Sequence, residues 1–150
     1  ANEQVLGGGD ASPFGFIGSI TPYHHPLVQR MKALAVQAAA ASGCRGSAGV
    51  DFVLGDDTWA IAVNPRFQGT VDTVELSTGA NLFSLHMDAC DGILPQTALH
   101  PVQFAARRIL FAERDLVVHE DLSRFAPWIT DIPWPGKTAR AWRTPMPGCW

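Results

Sequence analysis

Two runs of alternating residues, joined by an acidic turn, constrain the fold of this chain more than any other feature. In the first run, residues 50–54, apolar side chains alternate with Asp51 and Val53. In the second run, residues 59–63, the larger apolar side chains again occupy every other position. The intervening residues 55–58, Gly-Asp-Asp-Thr, have the composition of a tight turn. The sequence therefore predicts an antiparallel β-hairpin.

The two-residue period of a strand determines which side chains of this hairpin share a face. Asp51 and Val53 lie on one face of the first strand, whereas its larger apolar residues lie on the other. On the second strand Ala60, Ala62 and Asn64 share a face. We therefore expect Asp51 and Asn64 on a common face, with Ala62 between them.

Helical segments flank the hairpin. Residues 27–42 follow Pro26, are rich in alanine and stop at Gly43, which predicts a helix with a buried stripe. That stripe contains Leu27, Met31, Leu34, Ala35 and Ala38. Residues 71–78 and 82–89 predict two shorter helices, which Thr70 and Asn81 begin as N-caps.

Short strands are predicted at both ends of the chain. Residues 4–6 and 14–20 form a hairpin across a glycine-rich turn, and phosphate binding by that turn is a weaker alternative because a strand follows it. Four later strands are predicted, at residues 105–112, 116–118, 128–132 and 139–142. The fold class is therefore α+β, an antiparallel sheet with packed helices followed by a small β-rich tail.

Composition excludes several functions. The net charge of −3 gives no general attraction to nucleic acid or to a membrane surface. Arg107 and Arg108 form a local cationic pair, for which a solvated strand edge is the commoner interpretation and phosphate binding the alternative. The three cysteines are too far apart for a zinc motif and odd in number, which indicates free thiols in a cytoplasmic protein. No apolar run reaches the ~20 residues of a membrane span. His24, His25 and His86 are weak candidates for metal binding or catalysis.

Several short motifs occur together in this chain. Asp51 lies in Gly-Val-Asp-Phe-Val-Leu and is followed by Asn64-Pro65-Arg66 in Ile-Ala-Val-Asn-Pro-Arg-Phe-Gln-Gly-Thr. Further motifs are Asn-Leu-Phe at residues 81–83, Asp-Ile-Pro-Trp-Pro-Gly at residues 131–136 and Asn-Glu-Gln near the start. These motifs, of which the first is the sharpest, resemble the C-terminal part of the ATP-grasp superfamily, in its archaeal and methylotroph types.

This resemblance implies an ATP-dependent carboxylate–amine ligase that acts through an acyl phosphate. Residues 1–102 would be a partial C-terminal ATP-grasp lobe, and residues 103–150 a β-rich extension on it. Asp51 and Asn64 would bind Mg²⁺ or Mn²⁺, and Asn64 and Arg66 would contact ATP. Arg66 would also act in catalysis on a small carboxylate or amine substrate.

The chain departs from the family pattern in two ways. Family members have glutamate two residues before the asparagine, where it bridges two metals, and here that residue is Ala62. The lysine-bearing N-terminal regions have no counterpart, so we expect a fragment that needs a missing lobe or partner subunit, or a homodimer. We expect the chain alone to bind Mg-ATP weakly or not at all. A degenerate, non-catalytic module that binds nucleotide or a partner is the alternative.

Overall fold

The computed structural model describes residues 1–7 and 15–139, and the chain divides into two compact units. The first unit consists of Ala1–Val5 and Gly18–Arg108, and the second of Leu6–Ile17 and Ile109–Trp150. In chain order the elements are β1 Glu3–Gly7, β2 Gly15–Thr21, α1 Val28–Ser42, β3 Gly49–Leu54, β4 Thr58–Asn64, α2 Val71–Thr78, α3 Leu82–Cys90, β5 Ala105–Arg108, β6 Leu116–Val117, a short 3-10 helix Leu122–Phe125, and β7 Thr138–Ala139. These small antiparallel sheets and three helices confirm the predicted α+β class.

The predicted hairpin is present as β3 and β4, which pair antiparallel. Helix α1 contacts both strands and contributes the buried Met31. The helix is also joined to the turn of the hairpin, because Arg30 Nε lies 2.8 Å from Asp57 Oδ1 and Arg30 Nη2 lies 2.9 Å from Asp57 Oδ2. Both side chains are substantially exposed, so this ion pair positions the turn more than it stabilises the fold.

A β-bulge in β4 changes the predicted distribution of side chains. Asp51 pairs with Ala62 and Phe52 pairs with Ala60, which leaves Ile61 as an extra residue. Directly opposed residues lie on the same face, so Ala62 shares the face of Asp51 whereas Ala60 shares the face of Phe52. The expectation that Ala60 and Ala62 share a face was therefore wrong, because it assumed an unbroken two-residue period.

A second sheet has the strand order β1–β2–β5. Strand β5 pairs antiparallel with β2, with Ser19 opposite Arg107, and not with the strand that follows it in sequence. At Gly18 the β2 and β5 backbones approach so closely that an added Cβ would lie 2.3 Å from the carbonyl oxygen of Arg107. Glycine is therefore required here by close approach of the two backbones.

Buried hydroxyl groups join β2 to α2. Thr21 Oγ1 lies 2.8 Å from Asn2 Oδ1 and 3.0 Å from Thr73 Oγ1, and Thr73 donates in turn to the carbonyl oxygen of Thr70. Thr73 is 1% exposed. Thr70 is the N-cap residue of α2, as predicted, but its side chain does not bond to the first turn of the helix, and its hydroxyl accepts from Asn2 Nδ2 instead.

Replacing Thr73 by valine tests this polar contact. The change conserves volume but removes a buried hydroxyl that links Thr21 to the α2 backbone, so we expect a loss of about 1–2 kcal/mol in the free energy of unfolding. Urea denaturation measures it. Thr78→Val is the matched control, since Thr78 is only half-buried and its hydroxyl contacts nearby backbone, donating to the carbonyl oxygen of Val74 and accepting from the N–H of Ala80. Equal losses in both variants would contradict the assigned role of Thr73.

In the second unit the clearest pairing is between β6 and β7, with Leu116 opposite Ala139. Val118 is buried beside this pair. The predicted strand at residues 128–132 is absent from the described structure, where turn and irregular backbone follow the 3-10 helix. The predicted end of the last strand, residues 140–142, and most of the glycine-rich turn lie outside the described residues.

Few apolar side chains of the described chain are enclosed. Met31 and Val118 are the buried apolar residues among residues 1–7 and 15–139. On the hairpin, Val53, Trp59 and Ile61 are 51%, 53% and 63% exposed. The face of the hairpin that carries Asp51 is therefore open. Within the same described ranges, no helix combines the length and the apolar character needed to cross a membrane.

Candidate functional site

The open face of the β3–β4 hairpin brings Asp51 and Asn64 into direct contact. Asn64 Nδ2 donates to Asp51 Oδ2 at 2.9 Å. The register explains the contact, because Asp51 is opposite Ala62 and Asn64 lies one pleat further along the same face. The sequence-based expectation of a shared face agrees with this geometry.

Gln4, in β1, makes a second contact with the same carboxylate. Its Nε2 donates to Asp51 Oδ1 at 3.3 Å, so each oxygen of Asp51 accepts a hydrogen bond from a side-chain amide. Rotating either amide by half a turn exchanges its NH₂ group for its carbonyl oxygen. A cation beside Asp51 would therefore receive one carboxylate and two amide oxygens as ligands. Gln4 was not singled out from the sequence as a site residue.

Ala62 is the immediate neighbour of Asp51 across the strand pair. Its side chain is exposed, and Val53 and Trp59 form the next opposed pair on this face after the bulge. A longer side chain at position 62 would meet Asp51 without displacing a packed group. The structure thus places the methyl group of Ala62 directly opposite Asp51, where an acidic side chain would bring a second carboxylate beside the first.

Gln68 holds the loop that follows Asn64. Its Nε2 lies 3.2 Å from the carbonyl oxygen of Asn64 and 2.7 Å from that of Arg66. The Gln68 side chain crosses Gly49, the residue opposite Asn64, and an added Cβ at Gly49 would lie 2.4 Å from Gln68 Cδ. Gln68 is therefore a structural residue of the site, and the sequence offered only its proximity to Arg66 as a signal.

Arg66 is oriented differently from Asp51 and Asn64. Its side chain is exposed, and its Nη1 donates to the carbonyl oxygen of Phe67 at 3.1 Å. Among the described residues, the recorded contacts join Asp51 to Asn64 and Gln4 but do not include Arg66. Since an exposed arginine moves at little cost, a bound anion would have to draw the guanidinium toward the hairpin face.

The donor set fits one magnesium ion and not two. Mg²⁺ prefers oxygen ligands, keeps several waters and is commonly held by one or two carboxylates together with substrate phosphates. The site supplies one charged ligand, Asp51, and two neutral oxygens, from Asn64 and Gln4. This set is enough to hold Mg²⁺ only when phosphate oxygens complete the coordination shell of the ion. No group of three or more His, Cys, Asp or Glu side chains suited to a metal occurs in the described parts of the chain.

The other sequence candidates have different partners. Asp57 pairs with Arg30 and is thus engaged away from Asp51. His25 accepts from the backbone N–H of Leu27 and stacks on Tyr23, which accounts for it without a metal. Arg107 contacts the carbonyl oxygen of Gly69 and lies 3.7 Å from a carboxylate oxygen of Asp72.

Comparison with known proteins finds similarity in the first 70 residues of the chain. Residues 1–70, which include Gln4, Asp51 and Asn64, match the family model described as the ATP-grasp domain. An uncharacterized protein of Methanocaldococcus jannaschii is 26% identical over 119 residues. This match covers 79% of the chain but 29% of the relative, so the chain spans less than a third of that protein's length.

Proposed function

We propose that this chain, whose residues 1–70 match the ATP-grasp domain, is the C-terminal part of an ATP-dependent carboxylate–amine ligase of the ATP-grasp superfamily. The observation that carries the proposal is the Asp51–Asn64 contact, 2.9 Å long, on an open strand face. In this proposal Asp51 and Asn64 hold Mg²⁺ or Mn²⁺, and Asn64 and Arg66 contact ATP. Residues 1–102 form the ATP-grasp lobe, and residues 103–150 extend it.

The chemistry of the site supports phosphate transfer to a carboxylate. A divalent cation neutralises the charge on the phosphates of ATP. Asp51 orients its two amide neighbours, and Arg66 offers a guanidinium that stabilises anionic oxygens through paired hydrogen bonds. Transfer to a carboxylate gives an acyl phosphate, and an amine then displaces phosphate. The substrates are proposed only as a small carboxylate and an amine, in the ATP-supplied and reducing cytoplasm.

We propose that activity requires residues beyond this chain, either a missing lobe or a partner subunit, which includes a second copy. The matched relative is more than three times as long as the segment that this chain covers. The exposed Val53, Trp59 and Ile61 lie on the hairpin that carries the site, where covering residues would also exclude water from ATP.

A second candidate function is a degenerate module that binds nucleotide or a partner without turnover. Ala62 favours this alternative, because the residue opposite Asp51 offers no ligand for a second metal ion. A turnover assay on the longer protein separates the two. ADP formation that depends on both a carboxylate and an amine supports the ligase, whereas nucleotide binding without ADP formation supports the module.

Asp51→Asn tests the proposed metal role. The substitution conserves shape and leaves an oxygen to accept from Asn64, but it removes the only charge of the donor set. With Mg²⁺ and ATP at millimolar concentration, we expect the unmodified chain to gain about 1 kcal/mol in stability and the variant to gain almost nothing. Thermal unfolding with and without Mg-ATP measures the difference.

The matched control is Asp57→Asn, which removes a carboxylate of the same hairpin that is paired with Arg30. Its response to Mg-ATP should equal that of the unmodified chain. If Asp51→Asn kept the full response, the metal site would have to be placed elsewhere. If the unmodified chain bound Mg-ATP at micromolar concentration, the proposed dependence on further residues would be contradicted.

A further inference from the structure

A histidine and a cysteine form a pair on α3, apart from the Asp51 site. His86 Nε2 lies 3.8 Å from Cys90 Sγ, one helical turn along the same helix. The other ring nitrogen, His86 Nδ1, accepts a hydrogen bond of 2.9 Å from the backbone N–H of Ser47. The ring is also packed against Phe67, with 4.8 Å between ring centroids. His86 is therefore held on three sides.

The hydrogen bond from Ser47 determines the tautomer of His86. A nitrogen that accepts a hydrogen bond carries no proton, so in the neutral ring the proton is on Nε2. The N–H of Nε2 consequently faces Cys90 Sγ. The thiolate is the nucleophilic form of cysteine, and the His86 N–H is placed to donate to the sulfur once the thiol has lost its proton.

The same tautomer argues against a metal at this pair. A metal would need the lone pair of Nε2, and that nitrogen carries the proton while Nδ1 accepts from Ser47. Binding through Nε2 would thus break the Ser47 contact. Cys90 is exposed, so the sulfur is open to a reagent from solvent. The arrangement suits thiol chemistry better than metal binding.

We propose that Cys90 is a nucleophilic thiol and a site of reversible modification by small disulfides. The Cys90 thiolate attacks one sulfur of the disulfide, and a new S–S bond forms as the old one breaks. The second half leaves as a thiolate and takes up the proton that Cys90 lost. The Cys90 sulfur is oxidised and the leaving half is reduced, and an added thiol reverses the reaction.

The surroundings of Cys90 favour some disulfides over others. Asp88 and Asp91 flank Cys90 in sequence and are exposed, so they repel an anionic reagent such as oxidised glutathione. We infer that uncharged or cationic disulfides are the preferred class. Hydroxyethyl disulfide is an uncharged probe, so its reaction rate depends on the reactivity of the Cys90 sulfur and not on attraction or repulsion between the reagent and nearby charges.

The experiment measures the rate at which hydroxyethyl disulfide modifies each cysteine, by peptide mass spectrometry on the full chain carrying Cys149→Ser. Cys44 is the internal reference, since its Sγ lies 2.9 Å from a serine hydroxyl, Ser42 Oγ, and no histidine contact is recorded for it in the described chain. We expect Cys90 to react faster than Cys44, and the added product to be removed by excess thiol.

Two substitutions of His86 separate the hydrogen bond from simple exposure. In His86→Asn the side-chain oxygen can still accept from Ser47, but the donor to Cys90 is lost. The Cys90 rate should fall about twofold, which is less than the full effect of one hydrogen bond because a thiolate stabilised by a donor is also a weaker nucleophile. In His86→Gln the longer amide keeps a donor near Cys90, and the rate should recover in part. The Cys44 rate should not change in either variant.

The proposal is overturned if His86→Asn leaves the Cys90 rate unchanged, since exposure alone would then explain the reactivity. It is also overturned if Cys90 reacts no faster than Cys44. Circular dichroism of both variants verifies that α3 is intact. If α3 is lost in His86→Asn, the test depends on His86→Gln. A folded His86→Gln variant in which Cys90 reacts as slowly as Cys44 would then contradict the proposal.

Discussion

Ala62→Glu is expected to make the stability of the chain depend strongly on Mg²⁺. The new carboxylate would lie directly opposite Asp51, because the register pairs positions 51 and 62. Without metal, two like charges at this distance should destabilise the fold by about 1 kcal/mol. With metal, a second anionic ligand should raise Mg²⁺ affinity about tenfold, or about 1.4 kcal/mol in binding free energy. Thermal unfolding across a Mg²⁺ titration measures both effects.

The matched control for this prediction is Ala62→Gln, which has the same length without the charge. It should show neither the loss of stability without metal nor the tenfold gain in affinity. In the longer protein, Ala62→Glu should also raise any ATP turnover. An Ala62→Glu chain with the Mg²⁺ response of the unmodified protein would contradict the placement of the metal beside Asp51.

Gly18→Ala is expected to have the largest effect on stability. An added Cβ would lie 2.3 Å from the carbonyl oxygen of Arg107, and a backbone atom inside a strand pair cannot move away without breaking the β2–β5 pairing. We expect a loss of at least about 3 kcal/mol, which is large against the marginal stability of a small domain. Urea denaturation measures the loss.

Gly69→Ala is the control for the strand-pairing prediction. There an added Cβ would lie 3.8 Å from Arg107 Nη1, which is an ordinary contact with a movable side chain. Its cost should stay below about 1 kcal/mol. If Gly18→Ala unfolded no more readily than Gly69→Ala, the close approach of β2 and β5 would be wrong.

Local signals in the sequence predicted much of the fold. Pro26 and Gly43 enclose α1, and Asn81 caps α3 by accepting from the N–H of Ser84 as predicted. The β3–β4 hairpin also follows from alternation and its acidic turn. Each of these depends on residues close together in the chain, where propensity and side-chain hydrogen bonds are decisive.

Features that depend on distant contacts were not predictable in the same way. The pairing of β5 with β2 joins residues far apart in sequence, and nothing in residues 105–108 specifies that partner. The bulge at Ile61 is invisible to a two-residue period. At residues 128–132 the apolar pattern suggested a strand, but the described backbone there makes no ladder.

In the candidate site, too, contacts within one hairpin were predictable and contacts between distant segments were not. Asp51, Ala62 and Asn64 follow from the alternation within one hairpin and were brought together correctly on one face. Gln4 reaches Asp51 from another strand and was missed as a contact. The direction of Arg66 depends on rotamers of a long exposed side chain, which strand periodicity does not determine.

Paramagnetic broadening by Mn²⁺ alone tests the central claim, that Asp51 and Asn64 form a cation site, most directly. Mn²⁺ broadens NMR signals of nearby nuclei even when binding is weak, so it suits a chain with one carboxylate in the site. In the unmodified chain, the side-chain amide signals of Asn64 and Gln4 should broaden at the lowest Mn²⁺ concentration, and Asp51→Asn should remove this effect. Equal broadening of these signals in both proteins would contradict the claim.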